Sequence, residues 1–288
     1  MEKYYRTKRR TSGKFWQTIH RLRRGKQFSA NTVYSGGGEL LTLTGDIVGQ
    51  WKEYFDYLLN PIDTPSIEEA EAEDSEVDSS ITQAEVTEVV QQLLSGKAPG
   101  VDETHPEYLK SLDVVGLSWL TCLCNIVWQS GRVPLDWATV VVVPLFKKGD
   151  RRVCSNYKRI TLLSLPGKVY SRVLERRVKL LVKSWIQEEQ CSFRPSRGTL
   201  DQLYTLHRVL EGSWDFAQPV HMCFVDLEKA FDRVPRGIPW EVLWEYGVHG
   251  PLLQAVRSLY DQSRSLVRIA GFKSHIFPVH VGLHLGPL

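Results

Sequence analysis

The sequence predicts a layered helix-and-strand fold, of α+β or α/β class, and three observations carry that expectation. Helical and strand-like patterns mix irregularly along the chain, with no fixed repeat period. The run TVVVVPLF at 139–146 is short, β-branched and bounded by charge, as a buried strand should be. The 288 residues are 42% hydrophobic, which is enough apolar material for a real core.

The elements follow in chain order. A basic, helix-capable piece at Phe15–Arg24 leads into the turn-rich SGGGELLTLTG. Trp51, Tyr54, Phe55, Leu58 and Leu59 then recur at helical spacing until Pro61 stops them. The acidic run IEEAEAEDSEVDSS has little to bury and reads as a linker. Residues 1–80 are therefore expected to be a poorly packed basic arm followed by an acidic linker, with a boundary near Ile81. Thr82 and Glu85 make a capping box, and Val86, Val89, Val90, Leu93 and Leu94 share one helix face before Gly96. Helical segments are expected from Glu107 to Trp128, with a break at Gly116 and a stop at Gly131. KVYSRVLERRVKLLVKSWI and LDQLYTLHRVLEG are amphipathic helices, and QPVHMCFVDL reads as a strand. Helices at Glu241–Tyr246 and Leu252–Gln262 precede SLVRIAGFKSHIFPVHVG, which alternates like a hairpin.

Composition narrows the function. The longest apolar run, Ala138–Phe146, falls far short of the roughly 20 residues of a membrane span, and no apolar core follows the basic start. Five cysteines without CxxC spacing argue against a zinc ribbon and a disulfide framework. Cys122 and Cys124 read as core packing. The expected location is intracellular, with the nucleus as one candidate compartment. Charge is segregated: Met1–Lys26 has ten Lys/Arg and one acid, Lys147–Lys183 has twelve and two, and Ser66–Gln92 has nine acids and no Lys/Arg. Two basic blocks suit a polyanion such as nucleic acid.

The stretch HMCFVDLEKAFDRV raises the question of chemistry. A strand that ends in a carboxylate holds an acid rigidly at a sheet's edge, where it can bind a divalent ion. On spacing alone, Asp226 could equally be the N-cap of a following helix, and Asp232 reads as the end of that helix. His280 and His284 carry no site. No Walker A loop, HExxH pattern or Ser/His/Asp arrangement competes.

Five blocks in series weigh against the capping reading: GKAPGVDETHPEYLK, VVVPLFKKGDRRVCSNYKRITLLSLPGKVYSRVLERRV, EEQCSFRPSRGTLDQLY, FVDLEKAFDRVPR and the terminal VGLHLGPL. Together, over about Ile81–Leu288, they resemble the reverse transcriptase of non-LTR (LINE-type) retrotransposons. The resemblance implies an α+β right-hand polymerase, with helical fingers over 81–212, a partial palm over 213–288 and the thumb absent. It implies that Asp226 is the first catalytic aspartate, binding Mg2+ with help from the Leu227 carbonyl. Phe231 would be the gate that packs on the sugar of the incoming dNTP and rejects a 2′-hydroxyl. Lys147, with Lys158 or Arg159, would contact the triphosphate, where cationic donors stabilise the charge that grows as pyrophosphate leaves. Gly286 would also line the nucleotide site. Arg194 and Arg197 would hold the RNA template or DNA primer through phosphates, which positions a strand without reading it.

The sequence also departs from the family. The family's next block, an aromatic or alanine followed by two aspartates, does not occur in these 288 residues. Two-metal chemistry needs more than one carboxylate. The expectation is a truncated fragment that does not polymerise alone; a non-catalytic RNA/DNA-binding remnant is the alternative. Leu285 stands where the family has an amide able to hydrogen-bond the nucleotide. Lys158 stands where arginine is usual and gives up a bidentate phosphate contact. Ser192 replaces a usual glycine ahead of Phe193, a strained turn if that position needs a positive φ.

Overall fold

The computed structural model describes residues 32–61 and 79–283. The basic N-terminal piece and most of the acidic run lie outside them. In chain order the elements are β1 (Val33–Tyr34), β2 (Leu40–Leu41), α1 (Thr44–Leu59), α2 (Gln83–Gln92), α3 (Pro106–Lys110), α4 (Val114–Ser130) and α5 (Leu135–Ala138). There follow β3 (Thr139–Phe146), β4 (Tyr157–Leu162), α6 (Leu165–Val182), α7 (Thr199–Asp215), α8 (Gly237–Glu245), α9 (Gly250–Asp261), β5 (Arg264–Ile269), β6 (Phe272–Lys273) and β7 (Phe277–Pro278). β1 and β2 pair antiparallel, and a second sheet has the order β4-β3-β5-β6, with β7 also on β5. Helices and strands are mixed as the sequence predicts. No described helix is long and apolar enough to cross a membrane.

The chain divides into two units. The first comprises Met1–Tyr54, Val142–Ile160 and Val267–His275, and the second Phe55–Val141, Thr161–Leu266 and Ile276–Leu288. In the first, the β1–β2 turn uses Gly38 at φ 83, and the Tyr34 N–H donates to the Arg152 carbonyl at 2.8 Å. Trp51 is fully buried, its ring edge-on to Tyr157 at 4.8 Å. The loop after β3 closes when Lys147 N–H donates to the Asn156 carbonyl and Asn156 Nδ2 donates back to the Asp150 carbonyl. Gly149, at φ 88, is required there, since a Cβ would lie 2.6 Å from Asn156 Nδ2.

The second unit holds the larger core. Val86 and Val89 of α2, Cys124 and Val127 of α4, Val173 and Leu174 of α6 and Leu252 of α9 are buried together. Each such side chain contributes on the order of 1.5–3 kcal/mol. The Thr82–Glu85 capping box forms as predicted, and Glu85 also takes hydrogen bonds from Arg177 at 2.9 and 3.0 Å. Burial works to raise the Glu85 carboxyl, but the Arg177 and Thr82 hydrogen bonds outweigh it and bring it down to about 2. Arg177 further ties Ser79 and Ser80 to α6 through their carbonyls.

Several expectations need correction. The segment from 33 to 59 is not a poorly packed arm: Val33, Ile47, Trp51, Phe55 and Leu59 are buried. The apolar stripe of α1 made that outcome available, and residues distant in sequence meet it: Tyr157 lies edge-on to Trp51, and the His280 and Val281 N–H groups donate to the Leu59 carbonyl. The break in 107–128 falls at Ser111–Asp113 rather than Gly116; Asp113 accepts from the Gly116 N–H at 2.8 Å and starts α4. Gly131 does end α4, in the left-handed conformation. Cys124 is buried, and burial pushes its thiol up to about 12, but Cys122 is exposed because residues two apart on a helix do not share a face.

Candidate nucleotide-joining site

Residues 218–227 do not form the strand read from QPVHMCFVDL: they pair with no strand among the described residues. Phe224 and Val225 are 82% and 78% exposed. The run is apolar on both faces, a pattern that pays off only between two covering layers, and no described element supplies them. Asp226 is exposed and makes no hydrogen bond or ion pair with another described residue. The capping reading fails as well, because a 3-10 turn, not a helix, follows at Ala230–Asp232, entered through Lys229 at φ 50. Asp226 thus sits on an irregular, uncovered strap, not on a β-edge.

Rigidity begins five residues later. Phe231 meets Phe193 edge-on, with ring centroids 6.3 Å apart, which joins the CSFRPSRG block to the FDRV turn. The Leu283 N–H donates to the Phe231 carbonyl at 2.8 Å and the Gly282 N–H to the Val234 carbonyl at 2.9 Å. Gly282 has φ 83, and a Cβ there would stand 2.8 Å from the Asp232 carbonyl oxygen, so only glycine fits. The same C-terminal segment is anchored on its other side: His280 and Val281 N–H groups donate to the Leu59 carbonyl, and Asn60 Nδ2 to the Pro278 carbonyl. Two blocks far apart in sequence, around Phe193 and around Gly282, therefore converge on residues 231–234.

The cations fall in both units. Lys147, Lys158 and Arg159 belong to the first, where Lys147 and Lys158 are exposed and Arg159 is half-buried. Arg194 and Arg197 belong to the second, and both are held by Glu188. Arg194 also donates to the Gln187 carbonyl at 2.8 Å. These bonds pin a loop in which Phe193 and Ser196, not Ser192, take positive φ of 60° and 61°. Left-handed backbone at such residues costs roughly 1–2 kcal/mol each. Gly286 lies outside the described residues.

The family model "Reverse transcriptase (RNA-dependent DNA polymerase)" matches residues 146–288. "Probable RNA-directed DNA polymerase from transposon BS" of Drosophila melanogaster is 24% identical over 221 residues, covering 71% of this chain and 23% of that protein. "RNA-directed DNA polymerase from mobile element jockey" of the same species is 26% identical over 215 residues, 72% of this chain and 23% of that protein. Over residues 146–288 the chain carries a reverse transcriptase domain, homologous to the polymerases of LINE-type retrotransposons. A third relative, "Transposon TX1 uncharacterized 149 kDa protein" of Xenopus laevis, is 25% identical over 194 residues, 67% of this chain and 15% of that protein. The chain thus spans less than a quarter of the length of these relatives.

Reverse transcriptases generally use divalent metal ions. In the matched domain Asp226 is suited to be one hard oxygen ligand, because its carboxylate is exposed and unengaged. No group of three or more His, Cys, Asp or Glu side chains able to hold a metal gathers among the described residues. One acid fits the ion; a two-ion site needs further carboxylates.

The domain also uses residues that sequence reasoning passed over. A Cβ on Gly100 would lie 2.5 Å from the Leu163 carbonyl carbon and oxygen, so the GKAPGVD loop rests directly on the backbone before α6. Buried Ser164 caps α6 and donates to Asp102 Oδ2 at 3.0 Å, which ties the same two segments again. Lys168 of α6 is pushed down by burial, then by the charges of Arg172 and Lys97, so the docked loop adds to a cationic cluster. The signal for Gly100 and Asp102 was the first quoted block itself, read there for ancestry and not for packing.

Proposed function

We propose that this chain is the fingers and first palm segment of an RNA-directed DNA polymerase of the right-hand type, in which Asp226 is the first metal-binding acid. The observation that carries the reading is the convergence of the Phe193, Phe231 and Gly282 blocks on one turn, five residues after a carboxylate that no described residue engages. Phe231, 41% exposed and braced by Phe193, is available to pack against the sugar of an incoming dNTP and to exclude a 2′-hydroxyl. Lys147, Lys158 and Arg159 act on the triphosphate, and Arg194 and Arg197, pre-oriented by Glu188, on the backbone of the RNA template or DNA primer. Gly286, by its place in the family's motif, belongs to the nucleotide site.

The Asp226 carboxylate and the Leu227 carbonyl would hold Mg2+, with additional carboxylates completing a pair of ions. Bound there, the metal supplies Lewis-acid stabilisation of phosphoryl charge and a more acidic primer 3′-hydroxyl. What the protein's own residues contribute is position: the strap presents the acid, the turn fixes the gate, and the cations neutralise the leaving group.

A rival reading, a binder of RNA or DNA that joins no nucleotides, is favoured by the basic character of 147–183 alone. Primer extension on an RNA template with Mg2+, comparing the chain alone, the chain joined to a paired-aspartate palm segment, and the joined chain carrying Asp226→Ala, separates the two. The proposal expects no incorporation by the chain alone, incorporation by the joined chain, and its loss in the variant while RNA affinity stays. Incorporation indifferent to Asp226 would sink it. Salt-dependent RNA binding with no incorporation even by the joined chain would establish the rival.

A further inference from the structure

The basic surface of the first unit extends past the residues singled out by the resemblance. Segment 142–160 has six Lys/Arg and segment 267–275 has two, eight in all, against Asp150 in the same segments and Glu39, Asp46 and Glu53 elsewhere among the unit's described residues. Asp150 accepts from Arg152 through both carboxylate oxygens. Within 267–275 the chain turns back on itself as the β5–β6 hairpin. Its register places Arg268 directly opposite Lys273 and Ile269 opposite Phe272. Directly opposed residues share a face, so the two cations stand side by side on one face while the apolar pair occupies the other.

Like charges in that position destabilise a hairpin. The turn adds strain of its own, since Ala270 and Gly271 both have positive φ, 49° and 90°, and alanine is poorly suited to that conformation. Lys273 is exposed and Arg268 half-buried, so both can be reached from solvent. A rigid two-cation face with a planar fork beside a point charge is suited to one or two phosphate groups. With six further cations in the same unit, a run of phosphates matches the surface better than an isolated anion does.

We propose that the Arg268–Lys273 face of the β5–β6 hairpin grips the sugar-phosphate backbone of the nucleic-acid strand on which this reverse transcriptase chain works. The contact is independent of base sequence: it positions the strand and leaves reading to base pairing. It rests on the function proposed above, and it assigns no chemistry to the hairpin.

The test measures binding of a short fluorescent single-stranded RNA to the whole 288-residue chain by anisotropy across a KCl series. Arg268→Gln/Lys273→Gln is expected to weaken binding about tenfold and to lower the slope of log K against log salt by about 1.4, two contacts at about 0.7 each. Should the double variant's thermal midpoint fall, Lys273→Gln alone, at an exposed position, is expected to lose about half the slope change. Binding by the wild type with the same affinity and slope in the variant would overturn the proposal. So would a variant that weakens a labelled dNTP and spares RNA, since that would make the ligand a triphosphate. Failure of the function proposed above has a different signature, namely incorporation indifferent to Asp226→Ala with the hairpin's effect on RNA affinity intact. A wild-type chain that binds no RNA would overturn both.

Discussion

Helices α6 and α7 are nearly the same length and both carry an apolar stripe, yet α6 buries Val169, Tyr170, Val173 and Leu174 while α7 buries nothing. α6 lies in a core shared with α2, α4 and α9. On α7, Leu203, Leu210 and Trp214 instead line an open depression of about 380 Å3, and Trp214 is 88% exposed. The strap that carries Asp226 follows it directly and is equally uncovered. The contrast teaches that an amphipathic pattern makes an element, whereas burial needs a partner at hand; in this protein the packed half is scaffold and the uncovered half bears the candidate chemistry.

The sharpest way to break the comparison is to truncate matched leucines. Leu174→Ala should lower the unfolding free energy by about 2–5 kcal/mol, and Leu203→Ala should stay within about 0.5 kcal/mol, both by urea denaturation. Equal losses would mean α7 is covered after all. Glycines sharpen the same point. Gly100→Ala forces a Cβ into backbone and should cost about 1–3 kcal/mol, whereas Gly212→Ala, in open space on α7, should stabilise by about 0.5–1 kcal/mol.

The α2–α6 contact has a pH signature. Because the Glu85 carboxyl is lowered from the ordinary 4.5 to about 2 in the folded state, its contribution is whole above about pH 4.5 and is lost as pH falls towards 2. At this partly exposed position the loss should be about 1–2 kcal/mol, after allowance for screening, and Glu85→Gln should flatten it in denaturation curves taken across that window. Smallest of all, Tyr170→Phe removes a buried hydroxyl that has no hydrogen-bond partner, and thermal melting should show between no change and about 1 kcal/mol of gain.

Much of the scaffold was legible because its signals are local. The Thr82–Glu85 box, the left-handed stop at Gly131, the β-branched run that became β3 and the hairpin at 264–273 each depend on residues within a few positions of one another. The site was less legible for the opposite reason. QPVHMCFVDL has the composition of a strand, but a strand exists only when another backbone answers its N–H and C=O groups. Nothing in those ten residues reports whether one does. Gly282 and Gly100 are required by carbonyl groups some 50 and 63 residues away in sequence, a proximity that no local pattern encodes. The arginines of CSFRPSRG read as free phosphate ligands until Glu188 proved to hold both.

By itself the sequence determined the order of elements, their caps and stops, the segregation of charge and, through five blocks in series, the likeness to reverse transcriptases. Only the tertiary structure decided that Asp226 stands on an uncovered strap, that two distant blocks close on the turn at 231–234, and that Arg268 faces Lys273. The division has a physical cause: hydrogen bonds between near neighbours are written in consecutive residues, while burial, pairing and close backbone approach depend on which distant segments arrive at the same place.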